Sequence, residues 1–426
     1  MAVPTSDLEV RHGAQVVGRL LVGQPAGRLQ FAYDATWLAR VEAFPVSVSL
    51  PLRPGAYDDQ RGHTFFANLL PEGAVREAIC ARLGISRDND VELLRAIGGE
   101  CAGALSVVAP DAPLPRAMFT ASDYDRLDDR RLQSLVGGKR TLPLLAGGAA
   151  TRLSLAGAQD KVPVAVLDGR IHLPIGDAPS THILKLPHGE FAHVPSNEAF
   201  VLALGAAIGL DVVNAELTTR TDPPSLLIER YDRVRDLGRW PAVRLHQEDL
   251  CQALGLPPTR KYEQEGGPSL VAAVDLVRAQ VRQPLVDVAR VIEWQAFNVC
   301  AGNADGHGKN LSIVYTGSGP RLSPFYDLLA TRQYDRLDRR MAMGVGGQHD
   351  PDRLGRSHWE AFAAALDINP RTVLGLVTGV AERCADVSAA TVKAFRARHG
   401  ELAVLQTLPR AIVRRAGKLR RALAAG

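Results

Sequence analysis

The chain has no long apolar run, no cysteine pattern, little net charge and no repeat, and each absence removes a class of function. Nowhere in its 426 residues is there a stretch of about 18 uncharged apolar residues, so no membrane span is expected. The five cysteines (Cys80, Cys101, Cys251, Cys300 and Cys384) are odd in number, scattered, and form no Cys-x-x-Cys pair. That usage points to reduced thiols in a cytoplasmic protein and away from a zinc site or a disulfide framework. The net charge is only +4, so no global field argues for nucleic acid and any basic patch must be local. The first nine residues have neither a basic head nor an apolar core, so no signal peptide is expected. There is no internal repeat and no low-complexity tract. What remains is an ordinary globular composition, 46% hydrophobic and 23% charged, in a chain long enough for about two or three domains.

Residues 8–20 read as a hairpin turning at His12-Gly13. Residues 29–33 and 46–50 alternate at period two, as half-buried strands do. Helices are expected over 65–83 and 90–97, the second ended by Gly98-Gly99. A connector opened by Pro113 and Pro115 carries a charged helix over 122–136 and closes at Gly147-Gly148. Strands follow at 161–167, 182–186 and 226–229, with a helix from Ser196 as N-cap to Gly209 as stop between the last two. The rest is mostly helical, broken by a strand over 311–315 and the turn Gly317-Ser318-Gly319-Pro320.

The chemistry concentrates in Asn303-Ala304-Asp305-Gly306-His307-Gly308-Lys309-Asn310, followed by Phe325-Tyr326-Asp327. Asp305 and Asn310 are five apart, the spacing of the catalytic Asp and the metal-binding Asn in a protein-kinase loop. A later lone Asp is where such an enzyme keeps its second Mg²⁺ ligand, so the pattern reads as phosphoryl transfer from ATP. Asp305 is the candidate base; the bland reading of the same residues is turn chemistry. Asn310 and Asp327 are the candidate metal ligands, since Mg²⁺ wants hard oxygens and takes most others from phosphate and water. The alternative for Asp327 is a helix N-cap before Leu328. His307 and Lys309 could reach phosphate oxygens, or His307 could simply hold the loop.

Lys185 sits among apolar strand residues, and a buried lysine needs an anion. Glu198, at the start of the next helix, is its candidate partner; the alternative is an exposed first-turn acid favoured by the helix dipole. Ser154-Leu-Ala-Gly-Ala-Gln-Asp-Lys161 is small and Gly-containing, so its amides could approach phosphate with Lys161 adding charge, although a plain turn fits the same residues. Glu229-Arg230-Tyr231-Asp232 would form a hinge whose backbone reads an adenine edge. The expected fold class is therefore α+β: a bilobal protein-kinase-like fold with an N-terminal α+β module (1–110), a connector (111–150), a strand-rich nucleotide-binding lobe (151–240) and a helix-rich catalytic lobe (241–426) ending in a basic helix.

Together these residues resemble the HipA family of serine/threonine kinases, the toxin halves of bacterial toxin–antitoxin pairs. The carrying motifs are Ser154-x-x-Gly-x-Gln-x-Lys161, Ile183-Leu-Lys185, Asn197-Glu198, Glu229-Arg-Tyr-Asp232, His246-Gln-Glu-Asp249, the 303–310 loop and Tyr326-Asp327, with Phe66-Ala-Asn-Leu-Leu-Pro-Glu-Gly73 in the N-terminal module. The resemblance implies ATP and Mg²⁺ as cofactors and Asp305 as the base. It implies phosphate contacts from Ala156, Gly157, Ala158, Gln159, Asp160, Lys161 and Lys185, adenine contacts from Glu229, Arg230 and Tyr231, and nucleotide-site roles for His307, Lys309, Asn310, Tyr326 and Asp327. It further implies self-silencing by autophosphorylation of Ser154 and a HipB-like helix-turn-helix antitoxin that tethers the complex to operator DNA. The implied target is an aminoacyl-tRNA synthetase, with glutamyl-tRNA synthetase first. Two other readings stand beside it: a small-molecule kinase of the aminoglycoside or choline type, and a catalytically silent antitoxin-binding and DNA-tethering module. The basic residues from Arg410 onward read either as the solvated face of a terminal helix or as contacts to DNA phosphate.

Overall fold

The structure, a computed structural model, describes residues 7–22, 29–116, 118–136, 161–187, 189–234 and 243–425. It resolves into two compact units, one comprising Met1–Leu186 with Glu229–Thr259, the other Pro187–Ile228 with Arg260–Gly426.

The first unit contains an antiparallel sheet of β1 (Leu8–His12), β2 (Gln15–Val22), β3 (Leu29–Tyr33), β4 (Ala56–Tyr57) and β5 (Leu105–Val108), in the order β4-β3-β2-β1-β5. The first hairpin pairs His12 with Gln15, so the turn is Gly13-Ala14, one residue later than expected, and Gly13 takes the left-handed conformation at φ 57°. Alternate residues of β1 to β3 (Leu8, Val10, Leu20, Leu29, Phe31) join Trp37, Phe65 and Phe66 in one buried core. Residues 46–50 do not form the expected strand. Only an isolated bridge, Ser47 to Leu50, is made there. The Glu248 carboxylate collects the Ser47 hydroxyl at 2.5 Å and the Val48 N–H at 3.1 Å, which turns the backbone instead of extending it.

The expected helix 65–83 is two helices, Asp59–Ala67 and Gly73–Leu83. Pro71 falls between them, and a proline cannot sit within a helix without losing a bond and clashing with the preceding turn. The helix expected over 122–136 is a short strand β6 (Tyr124–Arg126) and a helix, Asp129–Leu135, whose start is set by Asp128 accepting from the Arg131 N–H. Three more strands, β7 (Lys161–Leu167), β8 (Arg170–Pro174) and β9 (His182–Lys185), pair antiparallel with it in the order β6-β8-β7-β9.

The second unit is built on helices, with two hairpins, Ala215–Thr218 with Ser225–Glu229 and Ser312–Thr316 with Gly319–Leu322. Its first helix is Val194–Ala207, beginning two residues before the expected cap, with Pro195 in the first turn, where a missing N–H costs nothing. The helix Pro284–Ala301 is the spine. From Val291 to its end every side chain but Glu293 is buried, as befits a helix surrounded by others. Leu270–Gln280, Pro370–His399 and Val404–Ala424 pack against it. No helix among the described residues is long and apolar enough to cross a membrane.

Candidate active site

The spine helix ends at Gly302, a left-handed C-cap at φ 75° whose N–H returns to Asn298 O at 2.9 Å. The chain then enters the 303–310 loop, and nearly every polar group in it is bonded. Asn303 Nδ2 donates to Asn298 Oδ1 at 3.0 Å, and Asn303 Oδ1 accepts from the Asp305 N–H at 3.1 Å. The Ala304 N–H donates to Thr331 Oγ1 at 2.7 Å, and the Ala304 carbonyl accepts from the Ala342 N–H at 2.9 Å. Gly306 lies so close to the spine that a Cβ there would stand 2.9 Å from Asn298 Nδ2 and 3.1 Å from the Trp294 ring.

His307 caps the single 3₁₀ turn Gly308–Asn310. Its Nδ1 accepts from the Lys309 N–H at 3.3 Å, while Asn310 Oδ1 accepts from the His307 N–H at 3.0 Å. This reciprocal cap is the loop-holding role for His307, and it places the Asn310 side chain. Asn310 Nδ2 then donates to Asp327 Oδ2 at 2.9 Å, so the two candidate metal ligands are in contact. Asp327 is not a helix N-cap: it holds φ 57°, a left-handed conformation that costs energy for a non-glycine residue and marks functional sites. Asp327 and Asn310 thus bring a carboxylate and an amide oxygen to one place, the hard oxygens a cation would use. Two such oxygens suit Mg²⁺ completed by phosphate and water; among the described residues no group of three or more His, Cys, Asp or Glu side chains could hold a metal. Tyr326 donates its hydroxyl to Lys309 O at 2.7 Å, locking the Asp327 segment to the same turn.

Asp305, half-buried, accepts from the Tyr262 hydroxyl at 2.8 Å through Oδ1. Tyr262 also sets its ring edge-on to His307, with centroids 5.2 Å apart, and the neighbouring Lys261 carbonyl accepts from the Gly308 N–H at 3.0 Å. No motif marks Tyr262 in the sequence. Glu198 is fully buried in the helix Val194–Ala207, which excludes the exposed first-turn acid. The next residue back, Asn197, accepts the Ala330 N–H at 2.8 Å and so steadies the chain just beyond Asp327.

In the first unit, β7 and β9 pair so that Lys161 and Lys185 are direct partners. Directly opposite residues share a face, and two like charges there are destabilising unless an anion joins them. Lys185 is 8% exposed. Arg230 is placed differently from its expected neighbours. Its backbone N–H is bonded to Thr181 O at 3.0 Å, and its guanidinium is buried among Glu100, Asp232, Ser180 and Cys101. Burial alone would raise the Asp232 carboxyl, but Arg230 and Arg233 hold it well below the carboxylate range. Tyr231 donates its hydroxyl to Gln247. Ser154, Ala156, Gly157, Ala158, Gln159 and Asp160 lie outside the described residues.

The basic C-terminal helix is not one uniform face. Arg410, Arg414 and Arg421 are exposed, Lys418 pairs with Asp352 at 3.0 Å, and Arg415 is half-buried against the end of the spine helix.

Comparison with protein families matches residues 8–108 to the HipA N-terminal domain and residues 153–388 to the HipA-like C-terminal domain. A protein of Sinorhizobium fredii, Y4mE, described provisionally as a kinase, is 40% identical over 366 residues, covering 85% of this chain and 87% of its own. The serine/threonine-protein kinase toxin HipA of Shewanella oneidensis is 29% identical over 389 residues, covering 89% and 88%. The solved structure of Shewanella oneidensis MR-1 HipA, in complex with HipB and its operator DNA, superposes with a TM-score of 0.82 at 26% identity and 97% coverage of both chains. That likeness bears out the α+β, kinase-like fold class.

Proposed function

This chain belongs to the HipA family of kinases, and on that premise we propose a serine/threonine protein kinase that moves the ATP γ-phosphate onto a serine of a protein target. The observation that carries the reading is the bonded loop that brings Asn310 to Asp327 at 2.9 Å and holds Asp305 on the Tyr262 hydroxyl at 2.8 Å. Asp305 would take the proton of the target hydroxyl as its oxygen bonds the γ-phosphorus and the bridging P–O bond breaks, releasing ADP. Asn310 and Asp327 would hold Mg²⁺, which neutralises phosphate charge when bound. Lys161 and Lys185 are assigned to phosphate oxygens, in keeping with their like charges across one ladder. Lys309 is assigned there too. Glu229 and Tyr231 would read the adenine, Arg230 being engaged with Glu100 and Asp232.

Ala156 to Asp160 would supply backbone phosphate contacts, and Ser154 would be the autophosphorylated residue that silences the enzyme. The target class proposed is an aminoacyl-tRNA synthetase, glutamyl-tRNA synthetase first. Because the Shewanella relative is assembled with HipB and operator DNA, a helix-turn-helix antitoxin, and DNA through it, are the proposed partners.

Intact-mass and peptide-mapping analysis of the protein and its Asp305→Ala variant, each incubated with Mg²⁺-ATP, tests this. Phosphate on Ser154 in the parent alone is expected, with transfer by the variant slower by about 10² to 10⁴-fold. Equal transfer by both proteins, or growth arrest that persists in the variant, would sink the reading.

A further inference from the structure

The 303–310 loop follows directly on the end of the spine helix, so the bonds at that end set the direction in which the loop starts. The last carbonyls of a helix have no partners within it. Here Asn298 O is satisfied by the N–H groups of Gly302 and Asn303, both at 2.9 Å. Two of the following three carbonyls, Cys300 O and Ala301 O, are taken by one side chain: Arg415 Nε donates to Cys300 O at 3.0 Å and Nη2 to Ala301 O at 2.5 Å. The same guanidinium plane covers Gly302, where a Cβ would stand 2.6 Å from Arg415 Cζ. From the other side, Gly302 O accepts the Arg332 N–H at 3.0 Å, and Thr331 Oγ1 takes the Ala304 N–H at 2.7 Å. The chain is thus gripped at 300–304, immediately before Asp305.

Arg415 suits this place chemically. Burial and the nearby Arg332 both press its guanidinium below the usual range, while the negative end of the spine helix favours a cation there. A planar fork can serve two successive carbonyls at once, which an ammonium cannot. Arg415 lies on the helix Val404–Ala424, beyond the 153–388 span matched by the HipA-like C-terminal domain.

We propose that Arg415 is a positioning residue for phosphoryl transfer: by holding the Cys300 and Ala301 carbonyls it aims the loop and sets where the Asp305 carboxylate stands. The proposal rests on the reading of Asp305 as the base. Two readouts keep the two apart. Steady-state transfer is measured for the full-length parent and for Asp305→Ala, Arg415→Ala, Arg415→Lys and, as an exposed control on the same helix, Arg421→Ala. Amide hydrogen exchange across 299–308 is followed in the same proteins and needs no activity.

For Arg415→Ala, kcat is expected to fall by about 10²-fold, as a displaced catalytic group does, with KM for ATP little changed and exchange across 299–308 faster. Arg415→Lys keeps the charge but not the fork, so its kcat also falls, and it serves if the alanine variant does not fold. Millimolar guanidinium ion restores part of the activity of Arg415→Ala, and Arg421→Ala behaves as the parent. Parent-like kcat and exchange in Arg415→Lys would overturn the proposal, as would a lower melting temperature alone with kcat intact. A fully active Asp305→Ala would instead remove the base assignment, whatever the exchange at 299–308 reports.

Discussion

Asp305 stands where it does because of residues both remote from it and beside it in sequence. Tyr262 bonds its carboxylate, Thr331 bonds the preceding amide, and His307 and Asn310 cap the turn that follows. A single side chain also sets a measurable pH dependence. His246 is buried, its Nε2 2.8 Å from Val46 O, and burial lowers its pKa from 6.5 to about 4. Between those values the unfolded chain binds the proton and the folded chain does not, so stability rises with pH through that window. The contribution is complete above pH 6.5 and is lost as pH falls to about 4, up to about 3 kcal/mol in all. Urea unfolding of the parent and of His246→Gln at pH 4.5 and 7 checks this: the variant should lose less stability on acidification.

Among the elements, the spine helix and the loop behave as one part. The helix supplies Asn298 and Trp294 as a wall, and the loop returns against it at Gly306 with no room for a side chain. A Gly306→Ala substitution must push either the Asn298 amide or the indole, and overpacking of this kind costs about 1–3 kcal/mol. Because the displaced backbone adjoins Asp305, phosphate transfer should fall further than the stability loss alone explains. Urea midpoints and transfer rates measured side by side decide it. A variant with parent-like rates would mean that the loop can yield without moving Asp305. The strand expected at 46–50 teaches the converse. Its alternation is genuine, yet Glu248, some 200 residues away, bonds Ser47 and Val48 and bends the segment.

At the scale of the whole first unit, the buried cluster of Glu100, Arg230, Asp232 and Arg233 ties together segments far apart along the chain. Asp232 alone meets Arg230 and Arg233 at 2.8 Å each and the Gly103 N–H at 2.7 Å. Removing one partner from such a set leaves buried cations uncompensated, typically at about 3–5 kcal/mol. Asp232→Asn should therefore lower the unfolding free energy by that order, measured by denaturant titration. A change near zero would show that the arginines find other partners or water.

What the residues determined unaided was whatever neighbours in sequence can settle. The five-residue spacing of Asp305 and Asn310, the helix end at Gly98 and the hairpin turn at Gly317-Ser318 all depend on bonds spanning a few positions, and the residues that make them are written beside each other. Even there, Pro71 splitting a helix and Pro195 advancing the start of another were legible signals that the apolar pattern masked. The tertiary structure alone decided that Tyr262 would meet Asp305, that Lys161 would face Lys185, that Arg230 would turn inward and that Arg415 would cap the spine helix. Those contacts close loops of tens to hundreds of residues, and no local pattern encodes them. Their partners are selected by burial, where a charge or carbonyl left unpaired is expensive enough to dictate what comes to meet it.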